Sequence, residues 1–456
     1  MRRGAVLLCL ALLSPAACAP RGGERASAGG ARPNLVVYLV DTLRADHLSC
    51  YGYPLPTSPR IDAFAAGAVR VREARAQSSW TKPAVATVLT GLYPVAHGAQ
   101  RRSQGLDESV VTLAERLATA GYETAYFGTN PTVTPKFGFA QGFDEFRYLS
   151  VPRGRKRGHV DAAEIHREVV AWLERRDRAK PFFLVVHTLD PHDPYRPREP
   201  FRSRFAPAVE VEAACCIRAR ELAALSPDAA RRRAAQSIAL YDGEVAQNDA
   251  AFGALLDELA RRDLVDASAI LFTSDHGEEF YDHGGWRHAS TLYEEVLRVP
   301  FVLRLPGGAR GGTVLEGPLD QIDIAPTLLD LAGVEIPRGL PGGSWLAAFA
   351  GGAPPDEASL AWLAHPAFSI AAAKAGGWKW TGYPGSAPPP GRAPVELFDL
   401  GSDPREERNL AALEPQRALR LADRITAESA RSARAPVKEV EIDAELDRTL
   451  RALGYL

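Results

Sequence analysis

Three stretches of the chain are apolar almost without interruption and rich in β-branched residues: Asn34 to Val40, Pro181 to His187 and Ser268 to Ser274. Runs of this length without polar alternation predict strands buried on both faces, as in a parallel sheet covered by helices. Elsewhere the apolar positions recur at helical spacing, in Leu106 to Ala120, Val160 to Arg176 and the long Pro227 to Arg262. Strand and helix alternate, so the pattern predicts an α/β fold with a mostly parallel central sheet and helices on both faces. From about Pro354 the character changes to Gly- and Pro-rich loops with short Trp- and Phe-containing segments. An amphipathic stretch from Val440 to Leu453 predicts a terminal helix that packs back. The expected organisation is a main domain at 33–353 and a smaller C-terminal subdomain at 354–456.

Ahead of the first strand, Arg2 and Arg3, the apolar run Ala5 to Leu13 and small residues up to Cys18 read as an export signal over 1–19. Cleavage before Cys18 would leave a cysteine fit for a lipid anchor, although Pro15 stands where bacterial lipoprotein signals carry Leu. Residues 20–32, rich in Gly, Ala and Arg, read as a flexible tether. The chain is therefore expected in the periplasm or, lipid-anchored, at the outer membrane, meeting a membrane only through that anchor. Composition narrows the partners: 54 Lys+Arg against 56 Asp+Glu leave a net charge of −2, which argues against a nucleic-acid binder working through bulk positive charge. Cys50, Cys215 and Cys216 make no disulfide framework by count or spacing and read as core or surface filler.

The polar residues at the ends of the apolar runs carry the chemistry. Asp41 directly follows the first run, Asp275 and His276 follow the third, and His187 ends the second. Open α/β sheets bind ligands at the carboxyl ends of their strands, so these residues can share one crevice. Carboxylates and an imidazole converging there suit a divalent metal. Each alone also reads as a turn residue or helix cap; the Ser-Asp-His-Gly loop flanked by His283 and His288 strengthens the joint reading, because buried ionic groups need partners. In SSWTKPAVATVLTGLYP, Thr81 lies at or near a helix N-cap with Pro83 in the first turn. Helix N-termini bind tetrahedral oxyanions, and a hydroxyl held there beside a dication can ionise and attack phosphorus or sulfur. An ordinary Thr cap is the alternative.

Ordered motifs extend the picture. Thr81-Lys82-Pro83-Ala84-Val85 and Leu89-Thr90-Gly91-Leu92-Tyr93-Pro94 are followed by Gly121-Tyr122-Glu123-Thr124, Gly142-Phe143-Asp144, Asp190-Pro191-His192 and Ser274-Asp275-His276-Gly277. Tyr293 to Pro300, Asp323 to Thr327 and Leu397 to Leu400 continue the series. On these residues the chain resembles the sulfatase family of the alkaline phosphatase superfamily over nearly all its length after Pro33. The resemblance implies an alkaline phosphatase-like fold and metal-dependent hydrolysis of sulfate or phosphate esters. It implies one divalent ion (Ca, Mn or Zn) held by Asp41, Asp275 and His276, with the Thr81 hydroxyl as further ligand and nucleophile. His192 would contact the transferred oxyanion and His288 would protonate the leaving group. His187 and His283 would neighbour the substrate, and Lys82 would supply a cation to it. The substrate would be an anionic ester: a sulfated or phosphorylated small molecule, glycan or lipid.

The departures bear on the reaction. Sulfatases convert a Cys or Ser to formylglycine, which Thr81 cannot become, and Thr42, Val85 and Thr129 stand where the family pattern carries Asp, Arg and Lys. A formylglycine hydrate can expel sulfate by collapsing to the aldehyde. A Thr ester has no such exit, so water or an acceptor alcohol must attack phosphorus or sulfur directly. Related superfamily members with a Thr nucleophile are phosphodiesterases or phospho-group transferases, which turns the expectation towards phosphorus. The alternatives are a transferase moving a phosphorylated headgroup onto an envelope lipid or glycan, and a non-catalytic member that binds anionic glycans.

Overall fold

Alternate residues of the strand Asn34–Val40 enter two different cores. Leu35, Val37 and Leu39 pack with Val85, Val185 and Leu271, whereas Val36, Tyr38 and Val40 pack with Leu184, Val245 and Phe272. A strand apolar on both faces is stable where helices cover both sides of its sheet, so the unbroken run is the local cause of the layered fold. The computed structural model describes residues 32–150, 160–355 and 358–452. The expected export signal at 1–19, the Cys18 anchor and the tether up to residue 31 lie outside the described residues.

The main sheet has nine strands, in the order Val314–Leu315, Val69–Arg75, Arg298–Arg304, Ser268–Ser274, Asn34–Val40, Phe182–Thr188, Glu123–Gly128 and Glu145–Tyr148, with Leu319–Asp320 also on Val69–Arg75. The five strands from Ser268–Ser274 to Glu145–Tyr148 are mutually parallel, and Arg298–Arg304 runs antiparallel to both its neighbours. Helices Thr81–Thr90, Leu113–Thr119 and Ile324–Leu331 supply Val88, Leu117 and Leu328 to one core. Helices Ala162–Arg175 and Pro227–Arg261 supply Trp172 and Phe252 to the other. The helix expected over Leu106–Ala120 is shorter because a reciprocal cap, Thr112 with Glu115, starts it at Leu113.

After residue 354 the chain forms a separate antiparallel sheet of Ala358–Ala364, Ser369–Ala375, Trp378–Gly382 and Val395–Asp399, packed against the helix Pro415–Arg431. The terminal helix runs over Ala444–Ala452. Residues from Arg32 onward pack as one compact unit. No helix among the described residues is long and apolar enough to cross a membrane. One reading is corrected: Cys215 and Cys216 are bridged to each other, because the turn after the short helix Val211–Ala214 brings their sulfurs together.

Candidate active site

Sheet register builds the site. Val40 pairs with Ser274 on one side and with Thr188 on the other, so three strands end at one level. Asp41, Asp275 and His276 emerge there together, with His187 one residue before the level of Val40. All four side chains are buried. Thr81 is the first residue of the helix Thr81–Thr90, after Trp80 at the N-cap. Its hydroxyl lies 3.3 Å from Asp41 Oδ1 and 3.2 Å from His276 Nε2.

The donor set fits a divalent cation. Ligand atoms of Asp41, Asp275 and His276 lie within 4.8 Å of one another. His276 Nδ1 donates to the Gly277 carbonyl at 2.8 Å, an assignment that leaves Nε2 as a lone pair towards Thr81 and the two carboxylates. Asp275 Oδ1 accepts from the Thr42 and His276 N–H groups, while Oδ2 is buried with no hydrogen-bond partner. Thr42 Oγ1 and His187 Nε2 are buried and unpartnered as well. Orphaned acceptors beside two buried carboxylates are what a cation site presents. Burial pushes Asp275 up to about 8 and, together with the Asp275 charge, raises Asp41 well above the usual carboxylate range. Asn130 Nδ2 steadies Asp41 by donating to Oδ2 at 2.7 Å. His187 Nε2 lies 3.9 Å from the same oxygen, and its Nδ1 meets the Tyr126 hydroxyl at 2.8 Å.

A second layer faces this group. The His288 ring lies beside those of His276 and His192, tilted to the first and edge-on to the second, with ring centroids 4.6 and 5.1 Å away. Its Nδ1 pairs with Glu278 Oε1 at 2.8 Å, and the Tyr195 hydroxyl donates to Glu278 Oε2 at 2.8 Å. Burial, with the neighbouring His276 and Arg287, pushes His288 well below its ordinary value. His192 is fully buried, with Nδ1 against the Asp193 carbonyl. The pattern of motifs passed over Glu278, Asn130, Tyr126 and Tyr195. Glu278 left a signal, because it lies two residues after His276 within the same SDHGEEF stretch.

Two expected site residues are elsewhere. The Lys82 ammonium is buried and donates to the carbonyls of Arg101, Arg102 and Gln104 at 3.2, 2.7 and 2.9 Å, above the Phe137 ring. With three donors used by three carbonyls, it ties the Thr81 helix to the 101–104 loop and does not serve as a substrate cation. Val85 is core, and the Thr129 hydroxyl donates to the Leu149 carbonyl. His283 is also removed from the ester site: Nδ1 donates to Glu295 at 2.7 Å, Nε2 to the Arg405 carbonyl at 2.9 Å, and the ring stacks on Tyr293. Burial opposes its charge, but the Glu295 hydrogen bond and charge, with Glu406 and Glu279, outweigh that and push His283 up to about 9. A raised imidazole stabilises the fold fully below its unfolded value near 6.5, and the benefit fades as pH rises through about 9. His283→Gln is thus expected to cost about 1–3 kcal/mol at pH 6 and markedly less above pH 9, read by denaturant melts. A cost that does not change with pH would remove the ion-pair account.

The sulfatase family model matches residues 33–334. An ulvan-active sulfatase of Formosa agariphila is 27% identical over 346 residues, covering 68% of this chain and 64% of that protein, just under two thirds of its length. Among solved structures, the phosphonate monoester hydrolase of Agrobacterium radiobacter has a TM-score of 0.72 at 23% identity, covering 91% of this chain and 99% of that one. A structure in complex with its substrate D-glucosamine-2-N,6-O-disulfate has a TM-score of 0.73 at 22% identity, covering 88% and 98%.

Proposed function

The chain belongs to the sulfatase family of the alkaline phosphatase superfamily and is a sulfatase-like hydrolase, and from that premise we propose that Thr81 is its nucleophile and that it prefers phosphorus esters to sulfate esters. The observation that carries this reading is the Thr81 hydroxyl, held between Asp41 and His276 at a helix start. A divalent ion at Asp41, Asp275, His276 and Thr81 would stabilise the ionised hydroxyl and the charge of the ester. Asp41 accepts the hydroxyl hydrogen bond, and the helix N-terminus favours the negative oxygen that attacks.

The Thr81 oxygen forms the new bond to phosphorus as the ester oxygen leaves. His288 supplies the leaving oxygen with a proton: Nδ1 is committed to Glu278, so the transfer falls to Nε2. An anionic ester beside the ring favours its protonated form, against the burial that otherwise holds it neutral. The resulting alcohol departs, and water on the opposite side attacks phosphorus and gives a proton to His288, while the bond from phosphorus to Thr81 breaks and the Thr81 oxygen leaves in the ionised form in which it attacked. His192 lies beside His288, and in this reading it would hold a non-bridging oxygen. The same reading carries export by the N-terminal signal and, through Cys18, a lipid anchor.

A panel of 4-nitrophenyl sulfate, phosphate, phosphodiester and phenylphosphonate esters, each with Ca, Mn or Zn, tests the reaction class. Higher kcat/KM for a phosphorus ester is expected; a clear preference for sulfate overturns the proposal. His288→Ala is expected to slow alkyl esters by about 10²–10⁴ and 4-nitrophenyl esters far less, since good leaving groups need no proton. Equal slowing of both would reject the general-acid role.

A further inference from the structure

Beside the site lies a cavity of about 1060 Å³, whose walls include His288 and Trp80, the residue immediately before Thr81. That is at the upper end of what a drug-sized molecule fills, and far more than one ester group needs. Six arginines line it, Arg101, Arg102, Arg218, Arg220, Arg287 and Arg451, and no aspartate or glutamate does. The chain as a whole is nearly neutral, at −2, so this clustering is not a by-product of basic composition. Arg287 is paired with Asp193 at 2.9 Å, and Arg102 and Arg451 share the single carboxylate of Asp447 at 2.5 and 2.6 Å. Arg101, Arg218 and Arg220 form no ion pair with any described residue. Like charges gathered round one concavity repel one another unless an anion joins them, and they focus the field on whatever enters.

The arginines come from separate parts of the chain. The 101–104 loop is held by Lys82 below and by the C-terminal segment beside it, where Lys438–Glu439 pairs with Gln104–Gly105 and Ser103 bonds to Glu439. That segment leads into the Ala444–Ala452 helix bearing Arg451. The loop that carries two arginines is thereby tied directly to the residue following the nucleophile.

We propose that the alcohol portion of the substrate carries at least one further anionic group, a sulfate, phosphate or carboxylate, and that Arg101, Arg218 and Arg220 bind it. This deepens the ester-hydrolase reading and rests on it. Guanidinium groups pair with such anions through two parallel N–H···O bonds, which gives both strength and orientation. A monoanionic ester would occupy the reacting end and leave these arginines without partners.

The test is calorimetric titration of the full, metal-loaded chain with sucrose octasulfate, with sucrose as the uncharged control. Wild type is expected to bind the octasulfate with an affinity that falls as salt rises, and not to bind sucrose. The combined Arg101→Ala, Arg218→Ala and Arg220→Ala variant should bind at least about tenfold more weakly. Arg178→Ala, at an exposed arginine that does not line the cavity, should bind as wild type does. Arg101→Glu alone, at an exposed and unpaired side chain, should weaken binding in the same direction and checks the result independently of folding. Binding unchanged in the triple variant, equal binding of sucrose, or no binding at all would overturn the subsite. Turnover of 4-nitrophenyl esters, read in parallel, separates the two claims: octasulfate binding without turnover upholds the arginine subsite and rejects the hydrolase reading, and turnover without octasulfate binding does the reverse.

Discussion

Thr81→Ala is expected to lower kcat by about a thousandfold or more and to abolish a covalent phospho-enzyme on rapid quench, with the fold intact. The hydroxyl is too weak an acid to ionise unaided at neutral pH, and everything that favours its ionised form converges on it. Asp41 and His276 approach it at 3.3 and 3.2 Å, and the helix Thr81–Thr90 begins at it. Alanine removes the attacking oxygen and leaves those groups in place. Because the N-cap of this helix is Trp80 rather than Thr81, the stability cost is expected to stay near 1 kcal/mol. Thr81→Ser should retain appreciable turnover, since the oxygen survives and only a methyl group is lost. Thr81→Cys should not gain sulfatase activity even where cysteine is converted to formylglycine, because Val85 and Thr129 offer no charge and the Lys82 ammonium is used by main-chain carbonyls. Near-wild-type kcat in Thr81→Ala would overturn the nucleophile assignment.

The ends of the buried strands were readable because their side-chain pattern is local. Asn34–Val40 and Ser268–Ser274 have the bounds that their apolar runs predict, and the residues after them are the candidate ligands. What the pattern could not supply is direction. Lys82 is next to Thr81 in sequence, but a helix turns about 100° per residue, so its side chain leaves the site and reaches the 101–104 carbonyls. His283 and His288 are five residues apart in a loop with positive φ at Tyr281, Gly284, Arg287 and Ala289, and these reversals send one to Glu295 and the other to the site. The Glu278–His288 pair depends on a hairpin in which Glu279 pairs with Arg287, so the ladder sets 278 opposite 288. Asn130 reaches Asp41 because Gly128 lies beside His187 and Leu39 lies on His187's other side, a strand order that no local pattern carries. The vicinal bridge of Cys215 and Cys216 likewise depends on a turn rather than on spacing.

Asp275→Asn is expected to separate metal binding from folding by moving them in opposite directions. Asp275 and Asp41 are both fully buried, and both carboxyls are pushed upward by burial, Asp275 to about 8. Without a cation their charges oppose each other, so the neutral amide should leave the metal-free protein at least as stable as wild type. Asparagine keeps an oxygen for the Thr42 and His276 N–H groups, but it replaces the unpartnered Oδ2 with a donor and removes a full negative charge from a hard-cation site. Metal affinity should therefore fall by at least about a hundredfold. Ligand that binds only the folded state raises stability by RT ln(1 + [L]/Kd), about 4 kcal/mol when the ion is present at a thousand times Kd. Wild type should accordingly show a large rise in Tm when Ca, Mn or Zn is added after chelation, and Asp275→Asn almost none at the same concentration. Equal rises in both proteins would place the ion elsewhere, whereas a metal-free variant much less stable than wild type would show that Asp275 is held charged by the protein alone.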